Sequence, residues 1–115
     1  MEDEMSLEEI IELCSVVHLK DDTLQFTGYG SNELRYSTQE FLYEHGLTIE
    51  DAEEVINNLT IDDYHEGPLD HYNKNMNKHN LWIFKKVAFE IPLYIKLFAF
   101  NKNKCIAVIS FHEDR

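Results

Sequence analysis

The hydrophobic period of this chain changes once, near residue 81, from about 3.6 to about 2. Ahead of that point apolar residues recur at helical spacing behind recognisable helix caps. Beyond it, "LWIFKKV", "PLYIKLFAF" and "KCIAVISF" are rich in β-branched and aromatic residues and are separated by short polar breaks. Helices followed by a meander of strands imply an α+β domain, with N-terminal helices packed on a C-terminal antiparallel sheet. At 115 residues, with 43% hydrophobic and 12% aromatic content, the chain is long enough for one packed core and too short for two.

Three helix starts are legible from their caps. "SLEEIIELCSVVHL" opens with Ser6 and Glu9 at capping-box spacing and places Leu7, Ile10, Ile11, Cys14 and Val17 on one side. "YSTQEFLYEHG" repeats the device with Ser37 and Glu40, buries Phe41 and Leu42, and stops at Gly46. "LTIEDAEEVINNLT" uses Thr48 with Asp51, its core side being Ile49, Ala52, Val55, Ile56 and Leu59. Residues 1–35 thus read as a helix with an extended lead-in around a Gly28 to Gly30 turn that includes a short strand or hairpin. Residues 36–64 read as a helical pair, and 81–113 as a three-stranded meander with a hairpin at "NKNK" and Pro92 at a strand start or edge. The last strand is apolar on both sides and reads as central. Between helices and strands, residues 65–80, "HEGPLDHYNKNMNKHN", show no apolar periodicity and read as one long loop.

No apolar run approaches ~18 residues, and the acidic start "MEDEMSLEEI" lacks the basic end of a secretory signal, so a soluble cytoplasmic protein without membrane contact is expected. Cys14 and Cys105 form no CxxC pair and read as buried thiols. The spacing of His65, His71 and His79 matches no compact ligand pattern, so neither metal nor cofactor is expected.

The formal net charge of -12 is unevenly divided. Residues 1–70 carry nineteen acids against Lys20 and Arg35, a net of −17. Residues 71–115 carry seven lysines and Arg115 against Glu90, Glu113 and Asp114, a net of +5. The C-terminal part can attract a polyanion, and the acidic part weakens that attraction and makes it salt-sensitive.

The strands concentrate chemistry-bearing side chains. Tyr94 and Lys96 project from one face of one strand; His112 ends another, on the side of Ser110 and Val108; Lys85 and Lys86 close the strand before. If these strands are neighbours, a phenol, an imidazole and ammonium groups meet at one sheet edge, beside a loop bearing His65, Asp70, His71 and His79. Such a set can cleave RNA without a metal: one group removes the ribose 2′-hydroxyl proton, a cation steadies the phosphoryl charge, and another group protonates the leaving 5′-oxygen. Lys85, Trp82 and His71 are then candidates for holding the RNA, Trp82 by stacking on a base. The plain alternatives are a half-buried strand tyrosine, an edge lysine, a surface histidine and a core tryptophan.

"FLYEHGLTIEDAEEVINNLTIDDYHEGP", Asp70, "LWIFKK" at 81 to 86, "LYIKL" at 93 to 97 and "CIAVISFHE" at 105 to 113 together resemble, in order and spacing, the MqsR-like toxin family of bacterial toxin-antitoxin systems. The likeness spans roughly residues 36 to 113. It implies a RelE-like fold, metal-independent cleavage of mRNA, and a cognate antitoxin protein as partner. It implies catalytic roles for Tyr94 and Lys96, and for His112 at the "ISFH" ending. In one branch of the family the positions of His112 and His65 are both lysine, a change that keeps proton transfer and weakens phosphate attraction at neutral pH. The expected catalytic set is therefore Tyr94, Lys96, His112, Lys86 and His65. Against it stands a different class of function, an acidic interaction protein, such as a nucleic-acid mimic or anti-CRISPR-like inhibitor, that binds a basic partner through the carboxylates of residues 1–70.

Overall fold

The computed structural model describes residues 5–26, 36–69, 81–100 and 103–114, with the backbone alone at 36 and 37. The chain is an α+β domain, with three helices and one five-stranded sheet among the described residues. Helix α1 (Leu7–Val16) begins with the expected capping box: Glu9 N donates to Ser6 Oγ at 3.2 Å and Ser6 N donates to Glu9 Oε1 at 2.8 Å. Helix α3 (Ile49–Asn57) does the same with Thr48 and Asp51. Helix α2 (Tyr36–Glu44) differs. Ser37 lies inside it, one residue past the first described helical position. Gly46 follows with φ +65°, a conformation that L-residues adopt only at a cost.

The strands are β1 (Leu24–Phe26), β2 (Tyr64–Leu69), β3 (Leu81–Ala88), β4 (Ile91–Phe100) and β5 (Cys105–Glu113), in spatial order β1-β5-β4-β3-β2. The antiparallel meander β3-β4-β5 is present as expected, and two edge strands enlarge it. β1 lies parallel to β5, which makes the sheet mixed rather than antiparallel throughout. The central strand is β4, with β5 between β4 and β1. β2 occupies 64–69, where a loop over 65–80 was expected. Its sequence "YHEGPL" lacks alternation because it is an irregular edge, with two register shifts against β3 and a cis Gly67–Pro68 bond. Gly67 has φ +133°, and a Cβ there would approach Leu81 O to 2.9 Å. The expected Gly28 to Gly30 turn, Asp70, His71, His79 and the first half of the "NKNK" turn lie outside the described residues.

One face of the sheet is covered by the helices. Ile10, Leu13, Cys14 and Val17 of the α1 region, Phe41 and Leu42 of α2, and Ala52, Val55 and Ile56 of α3 form a single core. They pack with Leu24 and Phe26 of β1, Trp82 and Phe84 of β3, Leu93, Ile95, Leu97 and Ala99 of β4, and Ile106, Val108 and Phe111 of β5. Burying a side chain the size of Phe111, which is fully enclosed, contributes about 1.5–3 kcal/mol. Phe111 meets Phe26 and Phe41 edge-on at 5.9 and 6.1 Å, and its backbone N–H donates to Thr38 Oγ1 at 3.3 Å, which fastens α2 to β5. Asn57 of α3 donates from Nδ2 to Cys14 O at 2.8 Å and Val17 O at 3.0 Å, satisfying carbonyls at the end of α1. The opposite face carries a smaller cluster of Leu81, Phe98 and Ile109, with Leu69 and Phe100 against it.

The reason Val108 and Ile109 are both buried is a register shift. Lys96 pairs with Ser110 and Leu97 with Val108, so Ile109 is an extra residue in β5. Val108 therefore faces the helices, not the side of His112 as strict alternation predicts. Of the two cysteines, Cys14 is buried and Cys105 half-exposed; both are free thiols. No described helix is long and apolar enough to cross a membrane.

The turn between β3 and β4 holds two consecutive non-glycine residues at positive φ, Phe89 at 56° and Glu90 at 62°. This is the φ signature of a type I′ hairpin turn, which prefers Asn-Gly. Replacing Phe89→Asn and Glu90→Gly together should raise stability by about 1 kcal/mol or more, measured by urea denaturation. Burial pushes the Cys14 thiol from 9.0 up to about 12. The unfolded thiol ionises first, so the stability that this burial contributes is full below pH 9 and is lost as pH rises from 9 through about 12. The loss is on the order of 4 kcal/mol. Denaturation curves of wild type and Cys14→Ala across this window should converge as pH rises.

Candidate functional site

Register alone brings three of the expected residues into one row. Lys85 pairs with Tyr94, and Tyr94 pairs with His112, on the face of the sheet opposite the helices. The Tyr94 and His112 rings stack with centroids 5.3 Å apart and planes 11° from parallel. The neighbouring row is Ile83, Lys96 and Ser110. Lys96 thus stands on the same face as Tyr94, about 7 Å along the strand. Lys96 is half-buried, and among the described residues no carboxylate pairs with its ammonium group.

The imidazole is oriented by the backbone. His112 Nδ1 lies 2.9 Å from Glu113 O. A carbonyl only accepts, so this contact calls for the proton on Nδ1; in the neutral ring Nε2 then carries the lone pair, the form a general base needs. Tyr94 is pushed the other way: its burial, and then the charges of Glu66 and Asp114, raise its pKa above 10.0. It therefore keeps its proton at neutral pH and is able to donate it. Lys85 Nζ lies 3.5 Å from Asp114 Oδ2, so its charge is largely compensated at this edge.

Stacking exposes the pair to a cleft of about 480 Å³ between α2 and the ends of β3, β4 and β5. Its walls are Glu40, Phe41, Glu44 and His45 from α2, and Lys85, Tyr94, His112, Glu113 and Asp114 from the sheet. Phe41 and His45 touch ring to ring at 4.6 Å on the α2 side. The four carboxylates and His45 are absent from the set read from sequence. The spacing of 40, 41, 44 and 45 does place them on one strip of a helix, but only the docking of α2 on β5 aims that strip at Tyr94.

Three expected residues stand elsewhere. Lys86 sits one residue from Lys85 and so projects to the opposite face, where its Nζ lies 3.4 Å from Asp63 Oδ2. His65 is exposed on β2, at the register shift between Tyr64 and Glu66. β3 and β4 separate it from β5, so it lies about 14 Å from the His112 strand by sheet spacing. Trp82 belongs to the helix-side core at 2% exposure, edge-on to Tyr64 at 6.0 Å, and offers no face to a base. Among the described residues its Nε1 has no hydrogen-bond partner. His71 lies outside the described residues. Among the described residues, no group of three or more His, Cys, Asp or Glu side chains is placed to hold a metal ion.

No protein-family model matches the chain, and no curated protein matches it.

The geometry around Tyr94 has a spectroscopic consequence. In an alkaline titration followed by tyrosinate absorbance, Tyr94→Phe should remove a step lying above pH 10.0, and Asp114→Asn should move that step down. A step lost at or below pH 10 would contradict the packing described here.

Proposed function

We propose that this chain is a metal-independent RNA endonuclease, a toxin of the MqsR-like kind, whose chemistry is carried by Tyr94, His112 and Lys96. The single observation that supports this reading most is the stacked Tyr94 and His112 pair, with the Nδ1 position of the imidazole committed to the Glu113 carbonyl. A base with a free Nε2, a phenol that retains its proton and an ammonium group on one face are the three roles that phosphodiester transesterification requires.

In this scheme His112 Nε2 takes the proton of the ribose 2′-hydroxyl as its oxygen attacks phosphorus. The bond from phosphorus to the 5′-oxygen breaks, and the Tyr94 phenol supplies the proton that the leaving oxygen needs. Lys96 balances the charge on the phosphoryl oxygens. The products are a 2′,3′-cyclic phosphate and a 5′-hydroxyl, with no external water consumed. The substrate is then single-stranded mRNA, the setting is cytoplasmic, and an antitoxin protein silences the activity.

A second reading has its own observation. Glu40, Glu44, Glu113 and Asp114 line the same cleft, which suits a basic protein partner better than a polyanion.

Purified protein should cleave a single-stranded RNA in the presence of EDTA and leave 2′,3′-cyclic phosphate ends. His112→Ala should slow this about 10²–10⁴-fold. Tyr94→Phe and Lys96→Ala should also slow it, with circular dichroism unchanged in all three. Cleavage by His112→Ala at the wild-type rate would remove the nuclease assignment.

A further inference from the structure

The Tyr94 and His112 pair stands on a border. Toward the middle of the sheet its neighbours are Lys96 and Ser110. Toward α2 its neighbours are carboxylates: Glu40 and Glu44 on the helix, Glu113 and Asp114 at the end of β5, with Lys85 tied to Asp114. A phosphate approaching from the α2 side meets net negative charge, so that half of the cleft is built for a cation.

The surface continuing from that half is apolar. Val87 pairs with Pro92, and Pro92 O accepts from Asp114 N at 2.8 Å, so Val87, Pro92 and the Asp114 backbone lie side by side at the rim. Val87 is 71% exposed, and Phe89, at the tip of the same hairpin, is 45% exposed. Phe89 is also one of the two turn residues held at positive φ.

We propose that the α2 side of this cleft docks a protein segment that places an arginine among the carboxylates and an aliphatic side chain on Val87 and Phe89. Charge complementarity selects a cation, and the rings of Phe41, His45, Tyr94 and His112 that line the cleft select which one. A guanidinium is planar, stacks on aromatic and imidazole rings, and pairs with carboxylates through two parallel hydrogen bonds; an ammonium does neither. The adjacent exposed valine and phenylalanine select a segment with an apolar residue beside the arginine and disfavour a free polyamine. This inference concerns the acidic wall and does not depend on RNA cleavage. An occupied cleft would nonetheless cover Tyr94 and His112, so in an active nuclease the segment would act as a competitive regulator.

The test uses fluorescence anisotropy of a fluorescein-labelled octapeptide alternating arginine and leucine, with the full chain. Glu44→Gln with Glu113→Gln should weaken binding about tenfold or more. Glu8→Gln with Glu12→Gln, an equal charge change on the exposed side of α1, should weaken it less than about twofold. Phe89→Ser should weaken it further, and peptides with lysine or citrulline in place of arginine should bind less tightly. Equal losses from the two double substitutions would reduce the effect to the general attraction of an acidic protein and overturn the proposal. So would indifference to Phe89→Ser or to the change from arginine to lysine. Because binding is read directly, a failure here is distinct from a failure of cleavage.

Discussion

The extra residue in β5 at Ile109 decides which way the whole C-terminal strand faces. Without it, Phe111 and Val108 would lie on opposite sides of the sheet; with it, Ile106, Val108 and Phe111 all enter the helix-side core, and Ile109 joins Leu81 and Phe98 on the other face. Both faces of the strand are thereby filled at one end. At the other end Ser110 and His112 are left beside Lys96 and Tyr94. A single-residue change in register inverts every side chain that follows it, so this one irregularity is what permits an apolar anchor and a polar row to coexist on nine residues.

From that constraint follows the character of the cleft. Its floor is rigid, because Tyr94 and His112 come from paired strands whose reverse sides are fully buried. Its far wall is a helix fixed by Phe41 against Phe111 and by the hydroxyl of Thr38. Electrostatically the two halves differ: the Lys96 side is cationic, while the α2 side gathers carboxylates, and the phenol of Tyr94 between them is kept protonated first by its burial and then by the charges of Glu66 and Asp114. A protein with a formal charge of -12 can still present a local positive site if its compensating lysines share one sheet face. The pairing of Lys85 with Asp114 shows how easily that local charge is cancelled one row away.

Much of this was legible in the residues. Caps at Ser6 and Thr48, the stop at Gly46 and the alternation from 81 onward are local signals, and local signals survive folding well. The shared face of Tyr94 and Lys96 follows from strand parity, and the same parity places Lys85 and Lys86 on opposite faces. β2 was illegible because an irregular edge strand containing Gly67 and Pro68 has no alternation; its pairing with β3, not its own propensity, makes it a strand. The acidic wall was illegible for a different reason. Glu40, Glu44 and His45 read as the solvated side of a helix until the burial of Phe41 turns them toward the end of the sheet. Trp82 went the way that aromatic strand residues usually go, into the core.

The amide of Asn57 reaches the carbonyls of Cys14 and Val17 at the end of a helix that precedes it by some forty positions, and Glu53, also of α3, accepts from the Leu19 amide at 2.9 Å. The end of α1 is therefore completed by α3 and has little means of ordering alone. Hydrogen exchange in the final turn of α1 should thus follow the opening of α3, the two segments, though distant in sequence, being expected to open together.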